Sequence, residues 1–277
     1  MNPSTLPIHG ITEDLVEALR NHSAVVIEGP TGCGKTTQVP QMLRDGGVLP
    51  DDMLVGVTQP RRIAAIGVAE RIAYERETFV GGEVSYAIRF DDRTSPDTRI
   101  KVMTDGILLQ EARSNPHFDR YGVIMVDEAH ERSLNIDFTL GLLRQVLDIR
   151  SDLKVVISSA TINASIFSRF FDNAPRIAVE ARTFPVDIEY RPTGEQSWHE
   201  RPGIVADLIA SVHRSEDAGD VLTFLTGEGE IKSTMSELES HRLKGAEILP
   251  LYGRLTREEQ ERVFDDFGNK RKIVLAT

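Results

Sequence analysis

Gly29-Pro30-Thr31-Gly32-Cys33-Gly34-Lys35-Thr36 decides the fold. It fits the G-x-x-x-x-G-K-[ST] spacing of a phosphate-binding loop. The run before it, Ala24-Val25-Val26-Ile27, is apolar and β-branched, the pattern of a buried strand. Thr36-Thr37-Gln38-Val39 then opens a helix. Strand, glycine turn and helix N-terminus together make an anion site, because backbone N–H groups point inward and the helix dipole adds positive potential. Gly29, Gly32 and Gly34 let the backbone curl tightly. Lys35 is placed to reach the β- and γ-phosphates of a nucleotide, and the Thr36 hydroxyl to ligate Mg²⁺. With Thr31, Cys33 and Thr37 these are the candidate nucleotide-binding residues. A bare glycine turn that binds nothing is the competing reading, and the acidic motif described below weighs against it.

Working outward, strands and helices alternate. Thr12 is placed to cap a first helix with Ile11, Leu15, Val16 and Leu19 on one face. Strands are expected at 53–57, 84–88, 100–103, 123–126, 155–157 and 177–179, with a polar loop at 91–97 and Asp105 capping a helix. Such alternation means a parallel sheet covered on both faces, with functional residues at the carboxyl ends of its strands. Arg182-Thr183-Phe184-Pro185 reads as a linker, giving domains at 1–181 and 182–277. The second αβ set is expected to hold strands at 186–190, 221–225, 248–251 and 273–277, and helices at 203–213, 230–241 and 256–267.

The 277 residues are 40% hydrophobic and 27% charged, enough for one large or two smaller cores. No basic leader precedes an apolar run, and no apolar stretch approaches ~20 residues, so no membrane association is expected. The single cysteine, Cys33, excludes an internal disulfide and suits a reducing cytoplasm. A net charge of −11 argues against nucleic-acid binding by bulk charge. It leaves room for a local basic track, because phosphates respond to charge within ~8–10 Å.

Val123 to Val126 delivers Asp127-Glu128-Ala129-His130 to the sheet edge. Asp127 suits Mg²⁺, and Glu128 suits the orientation and deprotonation of an attacking water. The bland alternative is an acidic helix start. His130 is either a packing residue or a hydrogen-bond partner of Ser159 or Thr161 across the site. Thr58-Gln59-Pro60-Arg61-Arg62 sets two arginines at a strand end, suited to phosphate-backbone contacts, and Thr104-Asp105-Gly106 sets helix N–H groups beside them.

Together these motifs resemble those of the DEAH-box RNA helicases of superfamily 2, and among them the bacterial HrpA type. Gly29–Thr36 resembles motif I, 58–65 motif Ia, 104–109 motif Ib, 127–133 motif II and 159–161 motif III. In the second half, 224–231 resembles motif IV and 273–277 the start of motif V. The resemblance implies an α/β chain of tandem RecA-like P-loop domains with parallel sheets, ATP with Mg²⁺ as nucleotide, and single-stranded or 3′-overhang RNA as partner. It implies catalytic roles for Lys35, Asp127, Glu128 and His130, and interdomain coupling through Ser159 and Thr161. It places the base between Arg71 and Phe264, and RNA along Arg61, Arg62, Arg89, Thr104, Asp105 and Thr226. Ribosome or ribonucleoprotein association is left open.

The family's pattern continues past its motif V threonine to arginines that reach the γ-phosphate. The second domain is therefore expected to be incomplete here, and the chain alone to hydrolyse ATP feebly. Two other readings stay open: a nucleotide- and RNA-binding module without significant turnover, and a DNA translocase.

Overall fold

The computed structural model describes residues 6–160, 164–180, 186–192, 199–215 and 219–277. The chain divides into two compact units, Met1–Pro185 and Val186–Thr277.

The first unit is built on strands β1 (Ala24–Glu28), β2 (Leu54–Gln59), β3 (Val84–Ile88), β4 (Asp91–Asp92), β5 (Ile100–Thr104), β6 (Tyr121–Val126), β7 (Lys154–Ser159) and β8 (Arg176–Ala178). They form one sheet in the order β4-β3-β5-β2-β6-β7-β1-β8, with only β4 antiparallel to its neighbour. The helices are α1 (Thr12–Asn21), α2 (Lys35–Asp45), α3 (Arg62–Glu75), α4 (Asp105–Ser114), α5 (Leu134–Leu147) and α6 (Ala164–Phe170).

The central strands carry apolar residues toward both faces because both faces are covered. Val25, Ile27, Val55, Val57, Val123 and Met125 pack with Leu15, Leu19, Val39, Leu43 and Ile72 of α1 to α3. The alternate residues Val26, Leu54, Ile124, Val126, Val155 and Ile157 pack with Leu108, Leu140, Leu143 and Phe167 of α4 to α6. Parallel register sets Glu28 beside Ser159 and Gln59 beside Thr104. The carboxyl ends of β1, β7, β6, β2 and β5 therefore form one continuous edge.

Several expectations are corrected here. Thr12 does not cap α1: a short 3-10 helix, Pro7–Ile11, runs straight into it, Ile11 takes the cap position, and the Thr12 hydroxyl donates to the His9 carbonyl at 2.9 Å. Asp105 is likewise not a cap; Thr104 holds that position and makes no side-chain capping bond. Part of the expected polar loop is strand. Asp91 and Asp92 pair with Ile88 and Ala87, and the Tyr86 hydroxyl donates to Asp91 Oδ2 at 2.7 Å. The two-residue turn between them puts Phe90 at φ 72°, an uncommon conformation for a bulky residue.

The second unit contains α7 (Arg201–Ser215), β9 (Val221–Phe224), α8 (Glu228–His241), β10 (Ala246–Leu251), α9 (Arg257–Glu261) and β11 (Arg271–Ala276). Its parallel sheet runs β10-β11-β9. Ile273 and Leu275 pack against Ala206, Ile209, Ile231 and Leu238 of α7 and α8. The strand expected at 186–190 does not form. Among the described residues its alternating pattern meets no pairing strand, and Val186, Ile188 and Tyr190 are exposed. The helix expected at 256–267 is also shorter. A Thr256–Glu259 capping box starts it, a 3-10 turn ends it at Phe264, and Asp265 is extended. Asp266 then accepts from the Gly268 N–H at 2.8 Å, a local bond that competes with helix continuation. The expected linker at 182–185 lies outside the described residues, as does Thr161.

Candidate nucleotide and nucleic-acid site

The loop after β1 closes on itself. Lys35 is buried, and its Nζ donates to the carbonyls of Gly29 at 2.6 Å and Pro30 at 2.8 Å. Cys33 is buried, and its carbonyl accepts from the Ile8 N–H at 3.3 Å. Gly34 adopts φ 101°, and a Cβ there would come within 2.9 Å of Ile8 and 3.1 Å of Leu6. Both conformation and space therefore require glycine. Thr31 and Gly32 are exposed at the loop tip, whereas Thr36 and Thr37 are half-buried at the start of α2.

Asp127 follows β6 and is 1% exposed. Its Oδ2 accepts from the Thr36 hydroxyl at 2.6 Å and from Gln59 Nε2 at 2.7 Å. Its Oδ1 is buried with no hydrogen-bond partner. A buried anionic oxygen beside a threonine hydroxyl and a phosphate loop fits Mg²⁺, a hard cation that prefers oxygen. Among the described residues no group of three or more His, Cys, Asp or Glu could cage a metal. Mg²⁺ suits such a site because it keeps waters and phosphate oxygens as ligands.

Glu128 sits at φ 51° and is only partly exposed. Burial raises its pKa and the Asp127 carboxylate adds to the rise, while His130 and Lys35 oppose it. That combination holds a carboxylate closer to neutrality than usual, which suits a general base. His130 Nδ1 lies 3.4 Å from Glu128 Oε2 and accepts from the Ala160 N–H at 3.3 Å. Just after β7, Ala160 thus meets His130 through its backbone, while Thr161 lies outside the described residues. Ser159 is buried, and its carbonyl accepts from the Gly29 N–H at 3.2 Å, which ties the end of β7 to the phosphate loop.

A concavity of about 330 Å³ lies farther along the same edge, lined in part by Pro60, Arg62, Arg89, Thr104, Gly106 and Ile107. Arg61 and Arg62 flank the start of α3, both exposed, and Arg61 Nη2 lies 3.2 Å from Glu131 Oε1. The Arg89 guanidinium covers the Phe90 ring at 4.8 Å. Asp105 also borders the concavity and is 4% exposed. Burial pushes its pKa up to about 6, and the Glu131 and Asp127 charges push the same way. The Thr58 hydroxyl opposes the rise without reaching hydrogen-bond geometry.

Arg71 and Phe264 are both exposed, Arg71 in the first unit and Phe264 in the second. Thr226, also in the second unit, donates from both its N–H and its hydroxyl to Glu230 Oε2, at 2.8 and 2.6 Å. Sequence reasoning gave no role to Gln59, Gln38 or Glu75. Gln59 was readable as the last residue of a buried strand; the glutamine–glutamate contacts between α2 and α3 left no sequence signal beyond the i,i+4 spacing of Arg71 and Glu75.

The family model for DEAD/DEAH box helicases matches residues 10–168. Over 279 residues the chain is 46% identical to the ATP-dependent RNA helicase HrpA of Borreliella burgdorferi, covering 100% of this chain and 34% of that protein. It is 47% identical over 277 residues to the ATP-dependent RNA helicase HrpA of Escherichia coli, covering 99% of this chain and 21% of the relative. It is 39% identical over 288 residues to a probable ATP-dependent RNA helicase DHX35 homolog of Caenorhabditis elegans, with 98% and 39% covered. The chain thus spans well under half the length of these relatives. The match over 10–168, together with the phosphate loop and the Asp127 site on one sheet edge, establishes that the chain belongs to the DEAD/DEAH box helicase family.

Proposed function

We propose that the chain is the ATP- and RNA-binding portion of a DEAH-box RNA helicase, coupling ATP hydrolysis to movement on single-stranded RNA and to duplex unwinding. Its two halves act as an ATP-binding domain over 1–181 and a second RecA-like domain from 182. The observation that carries the reading is the Thr36–Asp127–Gln59 contact. It joins the phosphate loop to two neighbouring strand ends and leaves one buried carboxylate oxygen free.

Phosphates lie in the N–H cradle of the loop, and Lys35 exchanges its two carbonyl partners for phosphate oxygens. Thr36 and Asp127 are the residues that would hold Mg²⁺, which neutralises charge on the β- and γ-phosphates when bound. Glu128 accepts a proton from the attacking water as its oxygen bonds to the γ-phosphorus. The bond from the γ-phosphorus to the β–γ bridging oxygen breaks, and ADP leaves with that oxygen. Arg61, Arg62 and Arg89, with the N–H groups at the start of α4, contact RNA phosphates irrespective of base. Arg71 is the first unit's candidate for contact with the nucleotide base. Among the described residues no helix is long and apolar enough to cross a membrane.

The test combines anisotropy of a labelled single-stranded RNA with single-turnover release of phosphate. RNA is expected to bind with strong salt dependence and to accelerate release. Glu128→Gln should retain ATP and RNA binding while slowing release by ~10²–10⁴-fold. Equal stimulation by DNA of the same sequence would remove the RNA assignment, and wild-type release by Glu128→Gln would remove the base.

A further inference from the structure

Glu75 ends α3, and its side chain is 4% exposed. A buried carboxylate on a surface helix needs donors, and it has three. Gln38 Nε2 and Gln41 Nε2 reach Oε2 at 2.6 and 2.8 Å, and Arg71 Nε reaches Oε1 at 2.6 Å. Gln38 Nε2 also donates to the Thr37 hydroxyl at 3.0 Å, and Gln41 Nε2 to the Thr37 carbonyl at 2.9 Å. One carboxylate thus ties the Arg71 guanidinium to the first turns of α2, directly behind the phosphate loop.

A plain staple between α2 and α3 would need only the two glutamines. An exposed i,i+4 Arg–Glu pair adds little on its own. Here the arginine is restrained through Nε alone. Its outer nitrogens stay open, the side chain is 46% exposed, and its Cζ lies 5.9 Å from the Tyr74 ring. A flat cation held by one edge presents a face, which is the surface a purine stacks on.

We propose that Glu75 is a positioning residue for nucleotide-base recognition: it holds Arg71 as a stacking platform and locks it to the Thr37 turn that carries the phosphate site. The proposal rests on the nucleotide reading above. Through this link the base and the phosphates are bound as one unit, so disturbing Glu75 costs affinity for a ligand with a base and leaves a bare polyphosphate unaffected.

The experiment is calorimetric titration of the 277-residue chain with Mg-ATP and, separately, with magnesium tripolyphosphate. Glu75→Gln is expected to weaken Mg-ATP by about three- to tenfold, the scale of a cation-stacking contact, with tripolyphosphate affinity unchanged. In an Arg71→Ala background the same substitution should leave the ratio of the two affinities where Arg71→Ala puts it, because Glu75 acts through Arg71. Glu75→Asp keeps the charge and the fold but shortens the reach, and is expected to shift the ratio in the same direction by less. If both ligands weaken alike in Glu75→Gln and Glu75→Asp, or neither does, Glu75 is only a staple and the proposal is overturned. A wild type that binds neither ligand overturns the nucleotide reading and this proposal together. One that binds both with a ratio insensitive to Glu75 overturns this proposal alone.

Discussion

Replacing Lys35 by alanine separates two contributions that one side chain makes. In the free protein the ammonium is 6% exposed and bonds to the Gly29 and Pro30 carbonyls. Each such charge-assisted bond is worth about 1.5–3 kcal/mol, and burying the charge costs several kcal/mol. These terms largely offset, so Lys35→Ala should change the stability of the free protein by no more than about 2 kcal/mol. On the proposed nucleotide reading the same ammonium faces phosphate oxygens once nucleotide is bound, and removing it leaves them without their cation. Truncating one partner of a buried, hydrogen-bonded charge pair costs about 3 kcal/mol, somewhat over a hundredfold in Kd. Lys35→Arg should not restore binding, because the fork is larger than the enclosure that holds Nζ. Calorimetric titration with Mg-ATP gives the affinity, and urea unfolding without nucleotide gives the stability. Wild-type affinity in Lys35→Ala would refute the reasoning. So would an affinity loss matched by an equal loss of stability, since Lys35 would then only hold the loop together.

Three further outcomes follow from the same edge of the sheet. Asp105 has its pKa raised from 3.8 to about 6 by burial, so the folded state binds its proton more tightly than the unfolded chain. Stability should therefore fall as pH rises from about 4 to 6, by up to about 3 kcal/mol. Asp105→Asn should flatten that slope in urea unfolding measured across the range. As the proposed base, Glu128 must be ionised to accept a proton, and burial raises its pKa, so the acid limb of phosphate release should lie above the ordinary glutamate value. An acid limb at the ordinary glutamate value would assign the base elsewhere. Arg61→Ala should weaken single-stranded RNA about equally for all sequences and reduce the salt slope by roughly 0.7. Glu131→Ala, which frees Arg61 from its ion pair, should strengthen RNA binding; a sequence-selective loss in Arg61→Ala would point to base readout.

What the sequence determined by itself was local. The G-x-x-x-x-G-K-[ST] spacing at 29–36 marks a glycine-rich turn before a helix from residue types alone, and Gly34 does take φ 101° at the start of α2. Apolar β-branched runs such as Val123 to Val126 need only burial on both faces to become strands, and they did. Each of these runs ends in a polar motif, and the sheet order brings those ends side by side.

The tertiary structure decided what depends on a partner distant in the chain. Val186 to Tyr190 alternates like a strand but is none, because a strand is completed only by a neighbour's hydrogen bonds and among the described residues no strand pairs with it. Asp105 reads as a helix cap and is instead a buried first-turn residue, because the packing around it, not its own propensity, sets its place. Gln59 reaches Asp127 only because β2 and β6 are neighbours, and Gln38 and Gln41 reach Glu75 only because α2 lies beside α3. Propensity and periodicity act over a few residues and can be read along the chain. A carboxylate's exposure and hydrogen-bond partners are properties of its surroundings, which exist only after the sheet order has brought those segments together.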